Sequence, residues 1–111
     1  MSQKLPSLYI PHGGGPCFFM DDPHGMWTGM AAYLRAIPES LPETPKAILV
    51  VSAHWETQGF AVTGAANPDL LFDYYGFPPH TYELTYPAPG DPALAARVVA
   101  LLLGAGLAAN V

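Results

Sequence analysis

Apolar residues in this chain come in short runs cut by glycine and proline, and the spacing within each run predicts an element. Leu8 to Ile10 is apolar and stops at Pro11, with a glycine triplet immediately after, which reads as a strand feeding a tight loop. Asp22-Pro23 then joins an N-cap residue to a proline suited to the first helical position, so a helix is predicted from there or slightly later. Trp27, Met30, Ala31 and Leu34 fall at helical offsets and mark its buried stripe, and Pro38 is expected to close it. After a proline-spaced connector from Ile37 to Lys46, the run Ala47-Ile48-Leu49-Val50-Val51 is continuous and rich in β-branched residues, as in a central parallel strand covered on both faces. Phe60 to Thr63 predicts another strand, and Asn67 to Pro89 a long loop loaded with Tyr, Phe and Pro. Asp91-Pro92 repeats the capping signal ahead of a stripe of Leu94, Val98, Leu101 and Leu102, with Gly104 expected to end that helix. The stretch to Val111 stays apolar, as though a further strand were about to begin inside a core.

Strand, helix, strand is a βαβ unit, and such crossovers are right-handed almost without exception. The fold class expected is therefore α/β, with a mostly parallel sheet and flanking helices. Its two strand ends carry His12, in Pro11-His12-Gly13-Gly14-Gly15-Pro16, and His54, in Ser52-Ala53-His54-Trp55. Open α/β sheets place ligands at the carboxyl edge of the strands, and two neighbouring strands lie ~5 Å apart, or ~10 Å with one strand between. Either separation lets two imidazoles converge on one ion. Neutral imidazole is a common nitrogen ligand for iron or zinc, and flanking glycines allow close approach of backbone and substrate. Two ligands fall short of a catalytic set, and the sequence offers no obvious third.

Each of these residues also has a plainer reading. His12 alone is equally a loop histidine bonded to backbone, and His54 alone a satisfied residue at a strand end. His24 at the first helix start reads as solvated or capping, His80 as an exposed loop histidine, and Glu56 as a surface carboxylate. Cys17 has no base or cation near it in sequence to favour a thiolate. Phe72, Tyr74, Tyr75, Phe77, Tyr82 and Tyr86 form either a pocket wall or a core beneath a long loop, the core being the simpler expectation.

Composition narrows the class of partner. The chain has 111 residues, half of them hydrophobic, enough for one domain core or part of one. A net charge of -5 with only 4 Lys and Arg leaves no basic surface for a phosphate backbone, which argues against nucleic acid. No apolar stretch approaches the ~20 residues of a membrane span, and the first residues lack a signal-peptide pattern, so a cytoplasmic protein is expected. A single cysteine agrees with a reducing compartment. The 13 prolines and 11 glycines sit between apolar runs and punctuate a fold rather than forming a low-complexity tract.

With these segments in hand, the chain resembles the class III extradiol ring-cleavage dioxygenases, the LigB-like superfamily, and within it the 4,5-DOPA dioxygenase extradiol branch. The resemblance rests on Pro11-His12-Gly13-Gly14-Gly15-Pro16, Ile48-Leu49-Val50-Val51-Ser52-Ala53-His54-Trp55, Asp73-Tyr74-Tyr75-Gly76-Phe77-Pro78 and Tyr86-Pro87-Ala88-Pro89-Gly90, in that order. It covers nearly the whole chain but only the N-terminal part of the family pattern. Residues 1–111 would then be the N-terminal portion of a single catalytic domain, from a truncated reading frame. The resemblance implies that His12 and His54 are the first two metal ligands. It implies Fe(II) as the ion, with Zn(II) as the alternative, and a catechol-type substrate cleaved by O2. The third ligand and the acid/base residue of the family pattern are not in these segments, so the chain alone is expected to be inactive. Association with copies of itself stays open.

Two rivals stand beside that reading. A His-Gly-Gly-Gly string after a strand also forms the oxyanion loop of lipase-like α/β-hydrolases, but none of Ser2, Ser7, Ser40 and Ser52 sits in the Gly-x-Ser-x-Gly elbow that such enzymes need. The other rival is a non-catalytic metal-binding fragment.

Overall fold

The structure, a computed structural model, describes residues 4–111. Its contacts divide into two compact units: one runs up to Ile48 and resumes over Phe72–Glu83, and the other comprises Leu49–Leu71 and Leu84–Val111.

In the first unit the Asp22-Pro23 signal acts as a capped turn before it leads to a helix. The Gly25 amide donates to the Asp22 carbonyl at 3.0 Å, and the Asp22 carboxylate accepts the amides of Met26 at 2.9 Å and Trp27 at 2.8 Å. Gly25 takes φ 64° in that turn, which a side chain would oppose. Helix α1 follows over Thr28–Ser40. Its Met30, Ala31 and Leu34, with Trp27 just before the first turn, are half-buried, as their spacing predicts. Pro38 does not close the helix; it lies inside the last turn, and α1 runs two residues further. So near the end a missing amide costs a single intrahelical bond. The turn is finished by the Ser40 hydroxyl donating to the Ile37 carbonyl at 2.7 Å and by the Leu41 amide donating to Pro38.

The second unit holds a parallel pair of short strands, β1 over Phe60–Ala61 and β2 over Ala109–Asn110, in register Phe60 with Ala109 and Ala61 with Asn110. The Phe60 amide donates to Ala108 at 2.8 Å and the Val62 amide to Asn110 at 3.0 Å. Between the strands in sequence lies α2, Pro92–Gly104, so that β1, α2 and β2 make a parallel crossover. Asp91 caps α2 by accepting the Leu94 amide at 3.0 Å, with Pro92 at the first position. Its other end is a Schellman motif. Leu107 donates to Leu102 and Gly106 to Leu103, both at 3.0 Å, with Gly106 at φ 82°. The terminating glycine is thus Gly106, whereas Gly104, expected in that role, is the last helical residue.

The two strands expected at Leu8 to Ile10 and Ala47 to Val51 are not strands in this structure. Ile48 is 74% and Val51 90% exposed, and among the described residues the run forms no backbone ladder. A central strand is defined by ladders on both sides, which β-branched residues favour but cannot supply by themselves. The parallel pairing lies instead around α2, and the α/β character of the described residues rests on two helices and that pair. Among the described residues no helix is long and apolar enough to cross a membrane.

Candidate functional site

Three glycines follow His12, and the structure uses them differently. At Gly13 a Cβ would collide with the Cys17 sulfur and press on the Trp27 ring. At Gly15, where φ is 49°, a Cβ would lie 2.7 Å from Phe77 Cζ and 2.8 Å from Cε2. Gly14 has nothing within 4 Å of the same position. Gly13 and Gly15 are therefore sites of close packing, and the loop carrying the exposed His12 is held from two sides. It runs into a 3-10 turn, Cys17–Phe19, closed by the Phe19 amide on the Pro16 carbonyl at 2.9 Å. Pro16 and Cys17 are buried there.

The ring over Gly15 belongs to a self-locked aromatic cluster in the same unit. Phe77 stands edge-on to Tyr74 at 5.3 Å between centroids; Tyr74 packs on Tyr82 at 5.1 Å and on Phe72 at 5.7 Å. Hydrogen bonds knit the backbone beneath. The Tyr74 hydroxyl donates to the Thr81 carbonyl, and Tyr82 donates to the Tyr74 carbonyl at 3.3 Å. Thr81, whose side chain is 0% exposed, donates through Oγ1 to Pro78 at 2.7 Å. Four of the six aromatic residues singled out in the sequence thus pack on one another, but none is buried: Tyr74 and Phe77 are half-buried and Phe72, Tyr75, Tyr82 and Tyr86 are exposed, so they form a surface cluster around the buried Thr81 and not the expected core.

His54 lies in the other unit, in a short turn where its amide donates to the Ser52 hydroxyl at 3.1 Å. Its side chain is exposed, as are those of His24 and Glu56. Among the described residues no group of three or more His, Cys, Asp or Glu is gathered as a metal site, so His12 and His54 are each described within their own unit. As donors they fit iron or zinc in kind, one imidazole apiece, and they leave the set incomplete in number. His80 is exposed, as expected of a loop histidine, and it also donates from Nε2 to the Phe19 carbonyl at 2.8 Å, across 61 positions of chain, a bond that no local signal announces.

Comparison with known proteins bears on what these loops belong to. A family profile described as the catalytic LigB subunit of aromatic ring-opening dioxygenase matches residues 6–111. The chain belongs to the LigB family. Within it, this LigB chain is 41% identical over 111 residues to the dioxygenase tasH of Hapsidospora irregularis, covering 92% of this chain and 33% of that protein. It is 42% identical over 101 residues to the 4,5-DOPA dioxygenase extradiol of Escherichia coli (strain K12), covering 91% of this chain and 35% of that enzyme. The 4,5-DOPA dioxygenase extradiol of Beta vulgaris matches at 38% over 100 residues, 90% of this chain and 36% of the relative. The LigB chain therefore spans about a third of the length of the curated relatives it matches. No solved structure matches it. LigB membership leaves the α/β-hydrolase alternative without support.

Proposed function

We propose that the protein is a metal-dependent extradiol dioxygenase that opens a catechol-type ring with O2, and that residues 1–111 are the N-terminal portion of its single catalytic domain. The reading is carried by one observation: the family match, residues 6–111, takes in both histidine-bearing segments. Fe(II) is the ion we favour, with Zn(II) the alternative. Such an ion, when bound, supplies a Lewis-acidic point with open positions where catechol and O2 meet.

The work of this chain is to present donors and to keep them still. His12 and His54 would each offer a neutral ring nitrogen. Phe77 and Trp27, pressed against Gly15 and Gly13, restrict the loop that bears His12. With no side chain and open space beside it, Gly14 lets a flat ring come close to the backbone next to His12. The 111 residues alone, with two imidazoles to offer, would bind metal weakly and open no ring. The protein would work in the cytoplasm on a small aromatic substrate, without nucleic acid or membrane as partner.

His12→Ala and His54→Ala in the native protein, purified without oxygen, test the assignment. Each is expected to lose bound metal and ring-opened product while its far-UV circular dichroism is unchanged. Full metal content and undiminished product in either variant would strike that histidine from the site.

A further inference from the structure

The hydrogen bond from His80 to Phe19 ties the aromatic segment to the far end of the glycine loop. The Phe19 carbonyl ends a three-residue 3-10 turn, where carbonyls have no partner within the turn. A carbonyl can only accept, so Nε2 of His80 is the donor in the 2.8 Å contact. His80 itself sits in the 3-10 turn Pro79–Tyr82, which is anchored by the buried Thr81 and by the Tyr74 hydroxyl on the Thr81 carbonyl. Phe77, three residues earlier, fills the space over Gly15. The segment thus grips the loop at two places, with a ring over Gly15 and a hydrogen bond at Phe19.

We propose that His80 is a positioning residue for His12: through the Phe19 carbonyl it holds the turn that follows the glycines, and so sets the direction in which the His12 imidazole is offered to a metal. The proposal rests on the role of His12 given above. It assigns His80 no contact with metal or substrate. The nearness of His80 to the loop is a tertiary bond on an exposed side chain, so its loss should loosen the loop without unfolding the unit.

The test compares His80→Ala with His80→Gln, whose side-chain amide can still donate to Phe19. In the metal-free protein, amide hydrogen exchange over residues 13–19 should quicken about fivefold in His80→Ala, as expected for one net hydrogen bond, and return close to the parent rate in His80→Gln. Co(II) is then added, and broadening of the His12 ring resonances is followed by NMR. Half-broadening should need about three times more Co(II) in His80→Ala than in the parent, with His80→Gln between them. Unchanged exchange in His80→Ala overturns the latch. Faster exchange with an unchanged Co(II) response at His12 makes His80 merely structural and overturns its positioning role. If the parent's His12 ring does not respond to Co(II) at all, the metal assignment of His12 fails and the positioning role with it, whereas the exchange comparison still decides whether the latch exists.

Discussion

Adding one methyl group at Gly15 probes the packing of the His12 loop more sharply than any deletion. Ala at this position meets two costs. At φ 49° an L-residue is disfavoured by roughly 1–2 kcal/mol. Its Cβ also lands 2.7 and 2.8 Å from two Phe77 carbons, inside the closest approach of real side chains, and overpacking of that kind costs about 1–3 kcal/mol. Lower entropy of the unfolded chain offsets roughly 0.4–1 kcal/mol. The net expectation is a loss of about 1–5 kcal/mol. Gly14→Ala is the matched control, with no atom within 4 Å and no positive φ, so only the unfolded-chain contribution applies and the variant should be more stable by roughly 0.4–1 kcal/mol. Urea unfolding reports both, followed by Trp27 fluorescence in a Trp55→Phe background, since Trp27 packs beside Gly13 in the same unit. In a Phe77→Ala background the steric part of the Gly15→Ala effect should vanish and the backbone part remain, a coupling of about 1–3 kcal/mol. Equal effects at Gly14 and Gly15, or no coupling to Phe77, would refute the picture of a ring wedged over the loop.

Two further substitutions examine other parts of the framework. Asp91→Ala removes the acceptor for the Leu94 amide and should cost about 1 kcal/mol, most of it restored by Asp91→Asn; unchanged helicity at 222 nm through a urea titration would show that the cap contributes nothing. Thr81→Val keeps the buried shape but removes the Oγ1 donor to Pro78, so it should cost about 1 kcal/mol while Thr81→Ser keeps the bond; a Thr81→Val variant as stable as the parent in urea would mean the hydroxyl is not anchoring the aromatic turn.

What the sequence made legible was mostly local. The Asp91-Pro92 cap, the half-buried stripe of Trp27, Met30, Ala31 and Leu34, and the strand starting at Phe60 all follow from residues within a few positions of one another. Helix ends were less legible because competing bonds decide them. The Asp22 carboxylate takes two amides and delays α1 to Thr28; at the other end of α2 the residue that reaches φ 82° is Gly106, not Gly104. The apolar runs near residues 8–10 and 47–51 carry strand propensity but not strand partners, and pairing is a property of whatever backbone lies alongside. For the candidate site, His12 and His54 were singled out from residue type and from the apolar runs before them, with the following glycines counting for His12 alone. The hold on the first of them was not legible, because Phe77 and His80 act on loop residues about sixty positions away.

A histidine followed by three consecutive glycines presents a physical difficulty. Glycine loses more conformational entropy on folding than any other residue, so a free loop of this composition would hold its histidine poorly. Close contact offsets that loss where it occurs: Gly13 is filled by Cys17 and Trp27, and Gly15 by Phe77. Only glycine permits either approach, so the residue type that would loosen the loop is also what lets it be packed firmly. Gly14, between them, meets no neighbour and gains nothing from packing. Under the proposed function its absent side chain would serve access beside His12 and not stability. The glycine loop and the segment from Phe72 to Glu83, distant in sequence, are therefore tied at Gly15 and at Phe19 within one unit, and a change at Phe77 or His80 should be felt in the loop between those two points.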